Sequence, residues 1–271
     1  MKRGNVFFIL LFCFQRIFRY PFIVFIAAVS LCYAGASGAD VSDQGKNPEI
    51  TLSTIQQKYV PDRTLGLFDY ILDTSTGKLS ISLETTSREA GEEVKRVIRW
   101  DFPEWELSVR VLPEENDRLK GHFYGVTTLA VIHLLAQPEY GSEMVSELIL
   151  GMPLKILKET ENGWLLIQGY NGYLGYVSSQ SVTPMTSDEF INWQEAKKII
   201  WLDVAGLVYS EPDKTSPSVS DMTAGAVFCY DNREDNGFYA VEFPDGRKGW
   251  LPQDSAMFFD EWLATRNLTA D

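Results

Sequence analysis

Asn162-Gly-Trp-Leu-Leu-Ile-Gln-Gly-Tyr-Asn-Gly-Tyr-Leu-Gly-Tyr176 and Asn236-Gly-Phe-Tyr-Ala-Val-Glu-Phe-Pro-Asp-Gly-Arg-Lys-Gly-Trp250 are two versions of one pattern, 74 residues apart. The phase holds upstream as well, where Pro138 and Gly151 return as Pro212 and Gly225, and Val145-Ser146-Glu147 returns as Val219-Ser220-Asp221. No gap is needed anywhere between these marks. Apolar positions keep the same register: Leu154 with Phe228, Ile156 with Tyr230, Trp164 with Phe238, Ile167 with Val241, Tyr176 with Trp250. Glycines recurring in phase mark places where the backbone turns tightly or passes close to another segment.

Between the glycines lie short alternating runs, Pro153-Leu-Lys-Ile-Leu157, Trp164-Leu-Leu-Ile167 and Tyr173-Leu-Gly-Tyr-Val177. Alternation at this length is a strand signal. Each copy therefore reads as five or so short strands closing a small barrel, the first over 120–183 and the second over 199–256. Between them, Thr186-Ser-Asp-Glu189 has the form of a capping box, and a linking helix is expected over 186–198 as a short rigid spacer.

Ahead of the repeat, residues 50–115 read as a small α+β domain. Phe68–Leu72 and Leu79–Leu83 alternate as strands around Thr76-Gly77, and Leu107–Leu112 returns as a third. Ser87 to Trp100 is expected to be helical, with Ala90, Val94, Val97 and Ile98 on one face. Residues 40–49 are polar and read as a flexible lead. Residues 257–271 read as a final helix carrying Phe258, Phe259 and Trp262.

Residues 1–39 read as an address rather than as fold. A basic start leads into the apolar run Pro21–Tyr33 and then into small residues, with Ala34-x-Ala36 and Ser37-x-Ala39 suited to signal cleavage. The expectation is export to the periplasm or cell envelope, by a signal peptide or by an uncleaved membrane anchor. Loss of a cleaved leader removes Cys13 and Cys32 and leaves Cys229 as the one thiol, so no internal disulfide is expected.

The chain carries a net charge of −13, while residues 1–39 hold four bases and no acids, so the remainder is more acidic still. Such a body disfavours nucleic acid, whose phosphates need a basic face, and is repelled by anionic lipid. Neutral or amine-bearing ligands suit it better. With 45% hydrophobic and 13% aromatic residues, the chain can fill two or three small cores and is far from a disordered composition.

Several stretches together resemble one envelope enzyme group. Tyr124-Gly-Val, Pro138-Glu-Tyr-Gly-Ser-Glu143, Leu150-Gly-Met-Pro153, Gly163-Trp164 and Gly172-Tyr-Leu-Gly-Tyr-Val177 are similar to the first bacterial SH3-type barrel of NlpC-family cysteine peptidases from Bacteroides-like bacteria. Val219-Ser-Asp221, Ala224-Gly225 and Pro244-Asp-Gly-Arg247 are similar to their second barrel. Lys58-Tyr-Val-Pro-Asp-Arg63 and Ser108–Pro113 are similar to their leading α+β segment. The resemblance implies a mainly β chain of two tandem bacterial SH3-like barrels preceded by a small α+β domain. It also implies a link to cleavage of the γ-D-glutamyl–diamino acid bond of peptidoglycan stem peptides.

The family's catalytic Cys, His and orienting polar residue lie in a papain-like domain after the second barrel. No match to that domain is found up to Asp271, so no catalytic residue, metal or cofactor is assigned here. Cys229, His122 and His133 make neither a thiol–base pair nor a zinc pattern. Alternation turns Cys229 away from the barrel interior, and His122 reads as opening a strand that precedes the one holding His133.

What the resemblance does imply is a capping role. In the family a carboxylate and a tyrosine of the first barrel hold the free amine of the substrate's terminal L-alanine, and Glu143 and Tyr173 stand at those positions. His133, Leu135 and Glu147 depart from the family's Asn, Arg and Gln. The expected partners are stem peptides and a separately encoded catalytic domain, with membrane contact through the N-terminal segment alone. The alternative is a stand-alone envelope module binding cell-wall peptide or protein.

Overall fold

The computed structural model describes residues 47–75, 77–113 and 119–267. The leader reading of 1–39 and the greater part of the 40–49 lead lie outside these residues. Among the described residues no helix is long and apolar enough to cross a membrane.

The end of the 40–49 stretch is already structured. Helix α1 (Pro48–Tyr59) starts there, with Asn47 as its cap accepting a 2.8 Å hydrogen bond from the Glu49 amide. Proline at the first helical position loses nothing by lacking an N–H, and Glu49 complements the positive end of the helix. Strands β1 (Phe68–Asp73) and β2 (Ser80–Thr85) pair antiparallel. Helix α2 (Arg88–Asp101), capped by the Ser87 side chain, carries the chain over to β3 (Glu106–Val111), which lies parallel to β2. Leu52 and Ile55 of α1 meet Ala90, Val94 and Ile98 of α2 over Phe68, Ile81 and Leu83 of the sheet. Each large side chain fully buried in this way contributes about 1.5–3 kcal/mol.

The duplicated region folds twice in the same way. The first copy comprises β4 (Tyr124–Thr127), β5 (Val131–Leu135), β6 (Met144–Ile149), β7 (Pro153–Glu159), β8 (Trp164–Gly169), β9 (Leu174–Ser178) and β10 (Val182–Met185). The second comprises β11 (Lys198–Trp201), β12 (Ala205–Tyr209), β13 (Ser218–Thr223), β14 (Val227–Asp235), β15 (Phe238–Glu242), β16 (Lys248–Pro252) and β17 (Ala256–Phe258). Every strand of the second copy begins 74 positions after its counterpart. The sheet orders β10-β4-β7-β8-β9-β5-β6 and β17-β11-β14-β15-β16-β12-β13 are the same order. There are thus seven strands per copy rather than five or so, in a curled sheet whose end strands are not neighbours.

One turn differs between the copies. Asn236 and Gly237 both have positive φ (47° and 76°) and close β14–β15 in a two-residue turn. In the first copy only Gly163 is left-handed, at 75°, and the turn is closed by its amide on the Thr160 carbonyl at 3.3 Å.

The α+β unit and the first barrel share a small apolar cluster of Leu112, Leu157, Leu166 and Leu174 with Leu67 and Tyr176 beside it. Glu84 bridges Arg110 (2.8 Å) and Lys158 (2.6 Å) across this junction. Burial there pushes the Tyr176 hydroxyl above its ordinary value.

The two barrels touch directly. Leu150, from the first copy, is buried within the second copy's core beside Trp201, Phe228 and Phe243. The Val227 amide donates to the Leu150 carbonyl at 3.1 Å, and the Arg247 guanidinium donates to the Thr128 carbonyl at 2.8 Å.

Helix α3 (Ser187–Glu195) has the expected capping box, but it does not hold the barrels apart. It lies on the first barrel, with Phe190 stacked on Tyr124 at 4.7 Å. It ends at Glu195 rather than running to Lys198, because Lys198 is already paired into β11. The buried Lys198 ammonium donates to the carbonyls of Trp193, Gln194 and Ala196 and so closes the helix end, while burial lowers its pKa to about 8. Similarly, Ala256–Phe258 pairs with β11, so the last helix, α4 (Phe259–Asn267), starts two residues later than Met257.

Two substitutions test the joint between the copies. Gly151 and Gly225 have φ of 82° and 87°, but a Cβ on Gly151 would lie 2.1 Å from the Val227 carbonyl oxygen, whereas one on Gly225 meets the end of Ile149. Gly225→Ala is expected to cost about 1 kcal/mol, the left-handed penalty alone, and Gly151→Ala more than about 3 kcal/mol in denaturant unfolding. Lys198→Met, which leaves three carbonyls without their donor, is expected to lower stability by about 1–3 kcal/mol in the same assay.

Candidate ligand-binding site

The two side chains singled out in the sequence sit on two different loops of the first barrel, Glu143 at the end of the β5–β6 loop and Tyr173 in the β8–β9 turn. Glu143 is exposed and is the last residue before β6. Its loop, 136–143, is fixed by hydrogen bonds from the Ala136 amide to the Glu143 carbonyl (2.9 Å), the Gln137 amide to Ser142 Oγ (2.9 Å) and the Ser142 amide to the Glu139 carbonyl (3.2 Å). The second copy repeats all three, at Ser210–Pro217, Glu211–Ser216 and Ser216–Asp213. The loop is therefore part of the inherited scaffold. Only the first copy places a carboxylate at its end, since the counterpart of Glu143 is Pro217.

Tyr173 lies in the turn between β8 and β9. Gly172 passes through φ 87°, the Gly169 amide donates to the Tyr173 carbonyl (2.9 Å), and the Tyr173 amide donates to Asn171 Oδ1 (3.2 Å). Tyr173 is 38% exposed. In the second copy the same turn holds Arg247, whose side chain is turned to the barrel joint.

The tyrosine's turn is tied to strand β6 and to the α+β unit. Asn171 Nδ2 donates to Ser146 Oγ at 3.0 Å, linking the tyrosine's turn to the strand that follows Glu143. Gln168 donates to the Leu65 carbonyl (3.2 Å), and the Leu174 amide donates to the Thr64 carbonyl (2.7 Å). Segment 64–65 thus walls one side of the tyrosine turn.

Two further features involve the Glu143 loop and the strands beside it. Tyr140, at the tip of the Glu143 loop, is 82% exposed yet leans on Trp164 with ring centroids 4.9 Å apart. His133 and Glu147, two of the three departures from the family pattern, face each other across β5 and β6 with Nε2 3.3 Å from Oε1. The contact is an ion pair only when the imidazole is protonated. Leu135, the third departure, is buried at the end of β5.

The remaining chemical groups do not assemble a thiol centre here. Cys229 lies in β14 between Lys198 of β11 and Glu242 of β15, and burial pushes its thiol above the ordinary range, which disfavours the nucleophilic thiolate. His122 precedes β4 in a turn, its Nδ1 2.9 Å from the Leu119 carbonyl, and does not open the strand. Among the described residues no group of three or more His, Cys, Asp or Glu side chains is placed to hold a metal ion.

Two seven-stranded antiparallel sheets of identical order are consistent with a pair of SH3-like domains. Residues 134–182 match the family described as bacterial dipeptidyl-peptidase SH3 domain, a segment that includes both Glu143 and Tyr173. A curated relative, dipeptidyl-peptidase 6 of Lysinibacillus sphaericus, is 30% identical over 124 residues, covering 44% of this chain and 45% of that protein. The chain thus spans less than half of that relative's length.

Solved structures with a similar fold include an NlpC/P60 family protein from Bacillus cereus ATCC 10987, with 14% identity and a TM-score of 0.42 over 50% of this chain and 56% of that one. Another is an NlpC/P60 endopeptidase from Photobacterium damselae subsp. piscicida, with 15% identity and a TM-score of 0.38 over 55% and 35%. The expected kinship with the SH3 domain of bacterial dipeptidyl-peptidases is met over residues 134–182.

Ser142→Ala tests how the loop is held. Amide exchange at Gln137 is expected to speed up by about fivefold, since one hydrogen bond contributes about 1 kcal/mol, with the melting transition almost unchanged.

Proposed function

We propose that this chain is the non-catalytic SH3-type part of an NlpC/P60-type cell-wall peptidase, which captures peptidoglycan stem peptides by their free L-alanine amine. The observation that supports the reading is that Glu143 and Tyr173 both fall inside the segment matching the dipeptidyl-peptidase SH3 family, with the tyrosine's turn tied through Asn171 to Ser146 of β6, three residues after Glu143. An alkylammonium needs a carboxylate for charge and a second acceptor for direction, and charge-assisted bonds of this kind are about twice as strong as neutral ones. In this reading the Glu143 carboxylate supplies the first and the Tyr173 phenol the second. The acidic body adds a long-range attraction for a cationic peptide end.

In this reading the thiol chemistry belongs to a papain-like Cys/His domain, in the same longer protein or separately encoded. The protein works in the cell envelope, exported by residues 1–39. The barrel's part is to fix the peptide's amine end so that the scissile bond falls at a set distance from that thiol. A peptide with its amine still acylated, as in intact wall, lacks the charge to be held.

Calorimetric titration with L-Ala-γ-D-Glu-diaminopimelate and with its N-acetylated form tests this. Binding is expected for the free amine alone, and Glu143→Gln is expected to weaken it about tenfold or more, the loss of a charged hydrogen bond of about 1.5–3 kcal/mol. Tyr173→Phe is expected to weaken it less. Equal binding of the acetylated peptide, or an unchanged Kd in Glu143→Gln, would overturn the amine contact. Hydrolysis of the peptide by the purified chain would overturn the non-catalytic assignment.

A further inference from the structure

The second barrel carries a feature that the first lacks. Tyr230 of β14, Tyr239 of β15 and Phe258 of β17 form three mutually inclined walls. Centroids lie 5.3 Å apart for Tyr230–Phe258, 5.3 Å for Tyr239–Phe258 and 6.0 Å for Tyr230–Tyr239, with interplanar angles of 81°, 55° and 89°. The ammonium of Lys197 lies over two of these rings, 3.6 Å from the Phe258 centroid and 5.2 Å from that of Tyr230. The Tyr230 hydroxyl donates to Glu234 Oε1 at 3.1 Å, and Gln253 donates to Glu234 Oε2 at 2.9 Å, so a fixed carboxylate stands at the rim.

The duplication provides a control within the chain. At the four equivalent positions the first barrel has Phe123, Ile156, Leu165 and Pro184. Ile156 and Leu165 are buried there and Phe123 packs against them, so an apolar side chain seals an aliphatic face. In the second barrel the aliphatics become aromatic and the seal becomes a cation. Stability of a small barrel does not demand this exchange, because the first copy does without it. Recognition of a cation does, since ring faces attract ammonium groups and aliphatic groups do not.

We infer that Tyr230, Tyr239 and Phe258 form a cage for the ammonium group of a small amine, filled in the resting chain by Lys197. The lysine is exposed, lies outside any helix or strand, and is displaced by rotation about its own side chain. An intramolecular ammonium holds the cage without losing translational freedom, so an external amine must outcompete it. This site stands on residues separate from Glu143 and Tyr173.

Choline and its neutral isostere 3,3-dimethylbutan-1-ol are the probes, with ring-proton NMR shifts of the three aromatic residues as the readout. Choline is expected to shift these signals in Lys197→Ala with at least tenfold higher affinity than in the wild type, and the isostere is expected to leave them unmoved. Tyr230→Leu in the Lys197→Ala background should abolish the response, with circular dichroism checking the fold. Lys197→Arg, which keeps a cation in the box, should bind no better than the wild type. Glu143→Gln should leave choline binding unchanged, which separates this site from the stem-peptide reading. Equal affinities in wild type and Lys197→Ala, or an equal response to the neutral isostere, would overturn the cage.

Discussion

Left-handed backbone at fixed intervals is the constraint on which this molecule is built. Gly151, Gly163 and Gly172 have φ of 82°, 75° and 87°, and Gly225, Gly237 and Gly246 have 87°, 76° and 85°. A side chain at such an angle brings its Cβ against the neighbouring carbonyl, so glycine is the residue that lets the strands reverse where they do. Once those reversals are set, strand lengths, sheet order and the choice of inward residues follow, and they follow in the same way in both copies. The loop hydrogen bonds around Ser142 and Ser216 belong to the same inheritance.

The positions that the scaffold leaves unconstrained are where the copies have parted. Glu143 faces Pro217 in the comparison of equivalents, Tyr173 faces Arg247, and Phe123 faces Lys197. None of these alters a turn or a core strand. The first copy has kept a carboxylate and a phenol on hydrogen-bonded loops, while the second has turned its equivalent arginine to the joint and set aromatic rings against a cation. One frame thus presents two different surfaces.

Much of this was legible in the sequence because it is local. The in-phase glycines, the Thr186–Glu189 box and the apolar face of Ser87–Trp100 are each written within a few residues of where they act. Errors came where pairing overrode local pattern: Lys198 and Met257 continue a helical reading, yet both belong to strands joined through β11. Helix α1 was passed over although Asn47-Pro48-Glu49 is a good start signal, because it follows a polar tract and buries only Leu52 and Ile55. At the candidate site, Glu143 and Tyr173 were named through resemblance. The Asn171–Ser146 tie, the Tyr140–Trp164 contact and the aromatic trio were out of reach, because sheet order brings their members together from distant positions.

Leu150 belongs by sequence to the first barrel and by burial to the second. A residue shared in this way makes the halves thermodynamically inseparable: loosening either one exposes apolar surface belonging to the other. The connecting peptide around Ala196 is therefore not what keeps them in company. A chain severed there would remain a single particle, with a cut ladder whose rungs still hold.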